Sequence, residues 1–405
     1  MIAEILKSSL SGRIKAPPSK SMAHRLIICA CLSEGNSVVS GLDSLSEDIK
    51  ATAGCMNELG AKTVYSDESF AISGMDIMNA KPKNALFVNE SGSTLRFLIP
   101  LCLLTGERIT LEGSKRLFER PLAVYEKICK DNGFLFEKGE GKLTLCGNLK
   151  PGVYEVPGDI SSQFISGLLF ALPLLSGDST VKITGNLESR SYILMTLSAL
   201  SEFGVDVEFT PHNELLIKGG QKYVPKKAVV EGDYSNAAFF DALNYFGHSV
   251  KVEGLCETSL QGDKVYKEYF EMLDKGYCTL NLEDCPDLAP VLMAVAAEKH
   301  GACFTGTKRL KIKESDRAEA MREELEKLGC ALTVEENSVK VEKCSLCSPA
   351  VPINSHKDHR IVMALSVMLT KYGGKVNNCE DVAKSLPDFF DRIKSLGAKV
   401  NLNED

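Results

Sequence analysis

One pattern occurs six times along the chain: an amphipathic helix ends at a glycine, and a strand, a polar turn and often a second strand follow. The glycines that end these helices are Gly60, Gly133, Gly204, Gly247, Gly329 and Gly397. Glycine suits this position because it adopts the left-handed backbone conformation in which many helices end. Most of the strands alternate apolar and polar residues, as Val205 and Val207 do, so we expect half-buried sheets covered by the preceding helices. Six copies indicate a repeated structural unit.

Strongly apolar helices separate the copies of this pattern. They are predicted over residues 22–32, 94–104, 164–175, 289–297 and 361–369. A helix that is apolar on all sides belongs in the centre of a domain. Because about 150 residues make a typical domain, 405 residues predict two or three domains. We therefore predict an α/β fold (α+β repeats) of two similar domains, each with three repeated β-α-β units around buried central helices.

The domain boundaries are predicted from polar segments between the repeats. Residues 219–227 (GGQKYVPKK) form the best linker, and a second crossing is expected near residues 11–17. One domain of three repeats then covers residues 15–228. The other combines residues 1–14 with 229–405, and the hinge crossings lie near 11–17 and 219–230.

The composition is that of an ordinary globular chain, with 44% apolar and 25% charged residues. Its net charge of -7 opposes a general attraction to nucleic acid. No apolar run reaches the roughly 18 residues that a membrane helix needs, and the N-terminus lacks the features of a signal peptide. We expect a cytoplasmic protein without nucleic-acid or membrane partners.

Most of the 14 cysteines lie in apolar stretches, which predicts reduced, buried thiols. Cys344 and Cys347 form a C-x-x-C pair without the second pair, or the histidines, of a zinc finger. His356 and His359 are interpreted as loop and helix-start residues. We therefore expect no metal site.

Polar residues precede the apolar helices, and this placement predicts where ligands bind. The helix-start segments contain Ser19, Lys20 and Ser21; Glu90 to Thr94; Asp159 to Gln163; Lys313 to Arg317; and Lys357 to Arg360. A helix N-terminus offers free N–H groups and the positive end of the helix dipole, which together suit a phosphate or carboxylate. The nearby cations are Lys20, Arg25, Arg96, Arg120, Arg317, Arg360 and Lys384. Together they could neutralise more than one anionic group, although each serine or aspartate alone could be only a helix cap.

Familiar nucleotide-binding signatures are not satisfied. Gly301 to Lys308 has the glycine spacing of a P-loop, but Thr307 precedes Lys308, which reverses the required order. Gly139 and Gly141 lack the third glycine of a dinucleotide fingerprint.

Eight of these motifs, in order, resemble those of one enzyme family. They are Ser19-Lys20-Ser21 with Arg25, Gly92 to Arg96, Glu119-Arg120-Pro121, Ser161-Ser162-Gln163-Phe164, Glu231-Gly232-Asp233, Lys313 to Arg317, Asp358-His359-Arg360, and Lys384 to Pro387. The chain resembles the 5-enolpyruvylshikimate-3-phosphate (EPSP) synthases nearly end to end. That resemblance implies the enolpyruvyl transferase fold, an inside-out α/β barrel, with the active site in the cleft between the two domains.

The resemblance implies a transferase of the shikimate pathway, and so of chorismate and aromatic amino acid biosynthesis. It would move the enolpyruvyl group of phosphoenolpyruvate (PEP) to the 5-hydroxyl of shikimate 3-phosphate and release phosphate, through a tetrahedral intermediate. These two small molecules would be its partners. The resemblance also implies a monomer without cofactors, and a small Gly92 that leaves room for inhibition by glyphosate.

The resemblance also implies a role for individual residues. Shikimate 3-phosphate would be bound by Lys20, Ser21, Arg25, Ser161, Ser162, Gln163, Ser189, Tyr192, Asp287 and Lys313. PEP would be bound by Lys20, Gly92, Arg120, Gln163, Arg317, Arg360 and Lys384. Asp287 is the candidate base, and Glu314 is the candidate for proton delivery with Lys20 or Lys313 as its partner. Glu90 and Arg309 depart from the family pattern, which places the contact of Arg309 with shikimate 3-phosphate in question.

Three alternatives have distinct expectations. A UDP-N-acetylglucosamine enolpyruvyl transferase would carry Asn in place of Ser21 and a cysteine in the loop at 117–120, and neither is present. A non-catalytic anion-binding repeat protein would lack Asp287 or Glu314. An RNA-binding repeat protein would require a basic surface, which the net charge opposes.

Overall fold

The computed structural model describes residues 1–404 and divides them into two compact units. The inserted unit comprises Pro18–Glu231. The terminal unit comprises Met1–Pro17 and the chain from Gly232 onward. These boundaries lie three residues after those proposed from the polar segments.

The secondary structure alternates between strands and helices along the whole chain. The strands are β1 (Ile2–Leu6), β2 (Ser11–Lys15), β3 (Asn36–Ser40), β4 (Lys62–Ser66), β5 (Ser69–Ser73), β6 (Leu86–Asn89), β7 (Ile109–Gly113), β8 (Leu135–Gly139), β9 (Lys142–Cys146), β10 (Val153–Pro157), β11 (Ser179–Thr184), β12 (Val207–Phe209), β13 (Glu214–Ile217), β14 (Lys227–Val229), β15 (Ser249–Glu253), β16 (Cys278–Asn281), β17 (Ala302–Thr305), β18 (Leu332–Val334), β19 (Ser338–Val341), β20 (Ile353–Asn354), β21 (Gly374–Asn377) and β22 (Lys399–Asn403). The helices are α1 (Lys20–Cys31), α2 (Glu47–Leu59), α3 (Gly92–Cys102), α4 (Lys115–Glu119), α5 (Ala123–Asn132), α6 (Ser162–Ala171), α7 (Arg190–Glu202), α8 (Tyr234–Ala242), α9 (Tyr266–Lys275), α10 (Ala289–Glu298), α11 (Arg317–Lys327), α12 (His359–Tyr372) and α13 (Phe389–Ser395).

The strands of residues 1–404 form six sheets, three in each unit, and most of these sheets share one arrangement. In the sheet β6-β7-β9-β8, the first pair of strands is parallel and both following pairs are antiparallel. Four other sheets, β14-β3-β5-β4, β10-β11-β13-β12, β16-β17-β19-β18 and β20-β21-β1-β22, have the same arrangement. The sixth sheet contains only the parallel pair β2 and β15. The predicted repeat of β-α-β units is confirmed.

The apolar helices lie in the centre of each unit, as the sequence predicts. Every residue from Met22 to Cys31 in α1 is buried, and nearly all of α3, α6, α10 and α12 is buried as well. Helices α3 and α6 approach closely at Gly167, where an added Cβ would lie 2.4 Å from the carbonyl oxygen of Arg96. The helix predicted over 164–175 ends earlier, at Ala171, and continues as a 3-10 turn that contains Pro173, because proline cannot donate the next helical hydrogen bond.

All six repeat glycines have positive φ angles, as expected of helix ends. The angles range from 69° at Gly133 to 123° at Gly60. The backbone N–H of Gly133 donates to carbonyls of the last turn of α5, and its own φ and ψ of 69° and 27° are left-handed. The glycine therefore closes the helix and turns the chain into the following strand.

The cysteines depart from the sequence expectation at one pair. Cys330 and Cys344 form a disulfide, which the assumption of reduced thiols did not anticipate. Sequence spacing alone could not identify this pair because Cys330 follows α11 and Cys344 follows β19, and only the fold brings them together. The other twelve cysteines are free within the described part of the chain.

No helix within residues 1–404 has both the length and the apolarity that crossing a membrane would require.

Two substitutions test whether a glycine is needed to end these helices. Neither introduces a steric clash. An added Cβ finds open space both at Gly133 and at Gly54, which lies inside α2. We expect Gly133→Ala to lower the free energy of unfolding by about 1 kcal/mol, because alanine disfavours the left-handed conformation. Gly54→Ala should raise it by about 0.5–1 kcal/mol, because alanine is the better helix former. Urea denaturation of both variants measures the difference, and a neutral Gly133→Ala would contradict this explanation.

Candidate functional site

Three central helices of the inserted unit begin with a serine cap followed by the predicted ligand-binding residues. Ser19, Ser91 and Ser161 precede α1, α3 and α6. Their hydroxyls accept hydrogen bonds from first-turn N–H groups at 3.2 to 3.4 Å. Such caps fix where each helix starts. They therefore place Lys20, Gly92 and Ser162 as the first helical residues.

Two arginines surround the start of α3. An added Cβ on Gly92 would lie 2.9 Å from Arg120 Nη1 and 3.1 Å from Arg96 Nη1. Arg96 Nη1 donates to Gln163 Oε1 at 2.7 Å, and Gln163 Nε2 donates to Ser93 Oγ at 3.0 Å. Gly92, Arg120 and Gln163, all predicted to bind PEP, are thus brought together. Two buried guanidinium groups at a helix N-terminus form a site suited to an anion.

Asp48 connects Lys20 to the start of α3. Its Nζ is 3.0 Å from Asp48 Oδ2, and the side chain of Asp48 is only 7% exposed. Thr94 Oγ1 lies 3.4 Å from the Asp48 carbonyl oxygen and 2.7 Å from Ser91 Oγ, so its hydroxyl can donate to either. Asp48 was missed from the sequence because acidic residues are common in the first turn of any helix.

Arg25 makes hydrogen bonds to two of the residues predicted to bind shikimate 3-phosphate. Its guanidinium donates to the carbonyls of Ser21 at 2.6 Å and Tyr192 at 3.0 Å, and its Nε donates to Thr196 at 2.8 Å. The residue is 2% exposed, and burial lowers the pKa of Arg25 to about 10. The contacts place Ser21 and Tyr192 beside each other and leave Arg25 a structural role in addition to its predicted one.

Helices α6 and α7 position Ser162 and Ser189, two more of the predicted site residues of the inserted unit. Ser166 of α6 and Thr196 of α7 are hydrogen-bonded at 2.7 Å. Ser162 lies one turn before Ser166, so it occurs on the same face of α6. Ser189 precedes α7 with a φ of 55°, an uncommon left-handed conformation for a residue other than glycine. Such backbone strain is frequent at functional sites.

The second set of residues lies in the terminal unit, where Asp287 contacts three cations. Its Oδ1 accepts from Arg317 Nη1 at 2.7 Å and lies 3.4 Å from Lys313 Nζ. Its Oδ2 accepts from Arg360 Nη2 at 3.1 Å. Four predicted site residues therefore meet at one carboxylate, which the side-chain exposure of 20% leaves accessible.

Arg317 connects this carboxylate to two others. It donates to Glu314 Oε2 at 2.7 Å and to Asp358 Oδ2 at 2.8 Å. Asp358 also caps α12 by accepting from the Arg360 N–H at 2.9 Å. The starts of α11 and α12 and the loop before α10 are therefore joined by one ion-pair network.

The charges of this network set its protonation. Burial raises the pKa of Asp287, but Arg360, Lys313 and Arg317 outweigh burial and hold that pKa well below its usual range. Burial lowers the pKa of Lys313 to about 8, against the opposing effect of Asp287. Asp287 is consequently ionised near neutral pH, and Lys313 changes its charge only slightly above it.

Arg360 retains capacity for a ligand. One nitrogen, Nη2, donates to Ser235 and Asp287. Its buried Nε and Nη1 have no hydrogen-bond partner among residues 1–404. Because buried donors are normally satisfied, these two atoms suit an anionic ligand, such as a phosphate or carboxylate.

Lys384 and Arg309, also identified from the sequence, both lie in the terminal unit. Lys384 ends a 3-10 turn beside Ser385, whose hydroxyl accepts from Asn236 at the start of α8 at 3.4 Å. Arg309 donates to the carbonyl of Glu283 at 2.6 Å, which ties it to the loop before Asp287.

One carboxylate and histidine cluster in the terminal unit has ligand atoms close enough for a metal ion. Glu323, Glu324 and His356 each offer one such atom within 4.8 Å of the others. Lys327 Nζ, however, already lies 2.7 Å from Glu324 Oε2. This ammonium supplies the positive charge that the cluster attracts, so the residues fit an ion pair better than a metal.

Comparison with solved structures identifies the class of fold. The chain superposes on an EPSP synthase from Acinetobacter baumannii with a TM-score of 0.79 at 22% identity, covering 100% of both chains. It superposes on the enolpyruvyl transferase NikO from Streptomyces tendae with a TM-score of 0.76 at 14% identity, covering 99% of this chain and 98% of that one. The fold is that of the enolpyruvyl transferases.

Sequence comparison narrows the class to a family. A model of the EPSP synthase (3-phosphoshikimate 1-carboxyvinyltransferase) family matches residues 6–275 and 272–393. The 3-phosphoshikimate 1-carboxyvinyltransferase of Clostridium kluyveri is 41% identical over 97% of both chains, and that of Clostridioides difficile is 39% identical over 98% of both. This chain belongs to the EPSP synthase family. The resemblance inferred from the eight motifs is confirmed, and the sister activity on UDP-N-acetylglucosamine is not favoured.

The depressed pKa of Lys313 predicts a measurable reactivity. Acetylation by acetic anhydride, followed by peptide mass spectrometry across pH, should show an inflection for Lys313 near pH 8. Lys218 is a matched control whose pKa is raised by its hydrogen bond to Asp178, so it should react only at higher pH. Asp287→Asn removes a charge that favours the ammonium form, and the Lys313 inflection should then move to lower pH. An inflection that moves upward would contradict the assigned cause.

Proposed function

We propose that this chain transfers the enolpyruvyl group of PEP to the 5-hydroxyl of shikimate 3-phosphate, using the two sets of residues described above. The observation that carries the proposal is the concentration of buried cations at helix starts, with Asp287 held ionised among Arg317, Arg360 and Lys313. Both substrates are polyanions, so bringing them together requires many positive groups to offset their repulsion.

Shikimate 3-phosphate is assigned mainly to the inserted unit. The proposed ligands there are Lys20, Ser21, Arg25, Ser161, Ser162, Gln163, Ser189 and Tyr192, with Asp287 and Lys313 from the terminal unit. The buried start of α6 supports this assignment, because the hydroxyls and N–H groups of a helix N-terminus suit a phosphate. Arg25 acts partly by orienting Ser21 and Tyr192, whose carbonyls it binds.

PEP is assigned to residues of both units, most of them cations. Lys20, Gly92, Arg120 and Gln163 contribute from the inserted unit, and Arg317, Arg360 and Lys384 contribute from the terminal unit. The two unsatisfied nitrogens of Arg360 support this assignment because they can donate to a phosphate or carboxylate. That substrates bring these two sets together in a cleft stays a prediction.

The chemistry is an addition followed by an elimination. The 5-hydroxyl oxygen attacks C2 of PEP while C3 gains a proton, which gives a tetrahedral ketal. The ketal then loses a proton from C3 and phosphate from C2, so the vinyl ether forms and no atom is oxidised or reduced. An acid and a base are required at the two steps.

Asp287 is the proposed base and Glu314 the proposed proton donor to C3, with Lys20 or Lys313 assisting. The ion pairs of Asp287 make it a weak base in the structure described here. Bound substrate anions would compete for Arg317 and Arg360, and this competition would raise the basicity of Asp287 when the reaction needs it.

The leaving group needs no further assistance in this proposal. Phosphate departs toward cations that the chain already provides, so we propose that the reaction uses no cofactor. A monomeric state and inhibition by glyphosate beside Gly92 stay predictions from the resemblance. A cytoplasmic location stays a prediction from the sequence.

Phosphate release by chelator-treated protein tests the function directly. With PEP present, we expect release when shikimate 3-phosphate is added, because its hydroxyl is the attacking group. We expect no release when UDP-N-acetylglucosamine replaces it. Release only with the sugar nucleotide, or with neither acceptor, would overturn the proposal.

Asp287→Asn separates the role of this carboxylate in chemistry from its role in binding. We expect kcat to fall by about 100-fold or more, the usual contribution of a general base. KM for PEP should not rise, because the substitution removes an anion that competes for Arg317 and Arg360. Asp284→Asn, in the same loop, is the matched control and should retain kcat. A raised KM with unchanged kcat would assign Asp287 to binding alone.

A further inference from the structure

Helix α11 holds the loop before α12 at two points. Arg317 and Glu324 are seven residues apart, or about two turns, so they lie on the same face of the helix. Arg317 Nε donates to Asp358 Oδ2 at 2.8 Å. Glu324 Oε1 is 2.7 Å from His356 Nε2, and its Oε2 accepts from the Asn354 N–H at 2.9 Å. Only the contact with Arg317 belongs to the site already described.

The loop between β20 and α12 needs such support because its backbone is strained. His356 and Lys357 have φ angles of 52° and 58°. Two successive left-handed residues other than glycine are unfavourable, and they persist only where surrounding contacts impose them. Within the loop, Asn354 Oδ1 accepts from the His356 N–H at 3.0 Å, and Ser355 Oγ accepts from the Lys357 N–H at 3.1 Å.

Glu324 is suited to imposing this conformation. The residue is 1% exposed, and burial by itself raises its pKa. Hydrogen bonds from His356, Lys327 and the Asn354 N–H outweigh burial and lower the pKa of Glu324. The carboxylate is therefore ionised and acts as an acceptor, which makes His356 Nε2 the donor.

We propose that Glu324 and His356 form a positioning pair that sets Asp358 and Arg360 for PEP binding. Neither side chain needs to touch the substrate. The pair fixes residues 354–358, Asp358 then binds Arg317 and caps α12, and the first turn of α12 presents Arg360. The inference rests on the proposed function only for the identity of the ligand.

The placement of the pair predicts a selective kinetic effect. Arg317 and Arg360 are assigned to PEP, whereas most residues assigned to shikimate 3-phosphate belong to the inserted unit. Loss of the pair should therefore raise KM for PEP by about five-fold, the factor that corresponds to one net hydrogen bond. KM for shikimate 3-phosphate should change less, because few of its assigned ligands contact these two arginines.

His356→Asn removes the contact with least disturbance. Asparagine tolerates the left-handed conformation, but its side chain is too short to reach Glu324, which keeps Lys327 and the Asn354 N–H as partners. His356→Gln retains a donor of similar reach and should restore KM for PEP. Lys357→Asn is the matched control, since it places the same residue at the neighbouring left-handed position with an exposed side chain.

A second control tests whether nearby negative charge is sufficient. Glu323 Oε2 lies 3.8 Å from His356 Nε2, but the Glu323 side chain is 53% exposed. Glu323→Ala should leave both KM values unchanged. The proposal would be overturned if either control variant, Glu323→Ala or Lys357→Asn, raised KM for PEP as much as His356→Asn does. Unchanged kinetics in His356→Asn, or an equal change in both KM values, would also overturn it.

An NMR measurement separates this inference from the proposed function. The Nε–H resonances of Arg317 and Arg360, in protein with labelled arginine, should shift in His356→Asn and stay in place in Lys357→Asn. If wild-type protein releases no phosphate, the proposed function fails, and these resonances alone decide the positioning role. Unshifted resonances in a folded His356→Asn variant would refute that role.

Discussion

The buried charge of Arg317 is the constraint on which the terminal unit's site depends. Its side chain is 1% exposed and contacts carboxylates of Asp287, Glu314 and Asp358. Removing one partner from a buried ion pair costs about 3–5 kcal/mol, because the remaining charge is left without compensation. The loops that carry these carboxylates are thereby held in one arrangement. We propose that the same arrangement presents Asp287 and Arg360 to a ligand.

In the inserted unit, hydrogen-bonded hydroxyl groups provide comparable order beside the Lys20–Asp48 ion pair. His24 Nδ1 lies 2.8 Å from Thr52 Oγ1, and Thr52 lies 2.6 Å from Thr94, which contacts Ser91. Burial lowers the pKa of His24 to about 3. The ring therefore stays neutral and adds no charge to this series of hydrogen bonds. The hydrogen bonds join α1, α2 and the cap of α3. They therefore fix the position of Gly92 between two arginines.

The architecture explains why the predicted ligand-binding residues recur at the starts of helices. In β10–α6–β11, for example, a buried helix follows a strand and begins with a cap. A buried helix has little polar surface except at its ends, so its first turn is where polar side chains can face a ligand. Repeating this unit yields several helix starts from one simple pattern. Arg120 and Lys384 lie outside those starts, one after α4 and one at the end of a 3-10 turn.

The periodicity and the helix-ending glycines predicted the repeats, and the all-round apolarity of α1, α3, α6, α10 and α12 predicted the central helices. Both features are local, and burial enforces them throughout each unit. The bounds were less accurate where a proline intervened, as at Pro173. The disulfide and the strand order required the fold, because β1 pairs with β21 and β22 across most of the chain.

For the candidate site, the sequence by itself determined which residue types stand at the helix starts, since capping and charge are read within a few positions. Through family resemblance it also identified Asp287 and Glu314 as candidate catalytic residues, and Arg317 and Arg360 as candidate PEP ligands. Only the tertiary structure decided the partners: Asp48 beside Lys20, and Glu324 beside His356. An acidic residue in a helix has the same local pattern whether it faces water or a buried cation. The difference is made by burial and by neighbours distant in sequence, which exist only once the chain has folded.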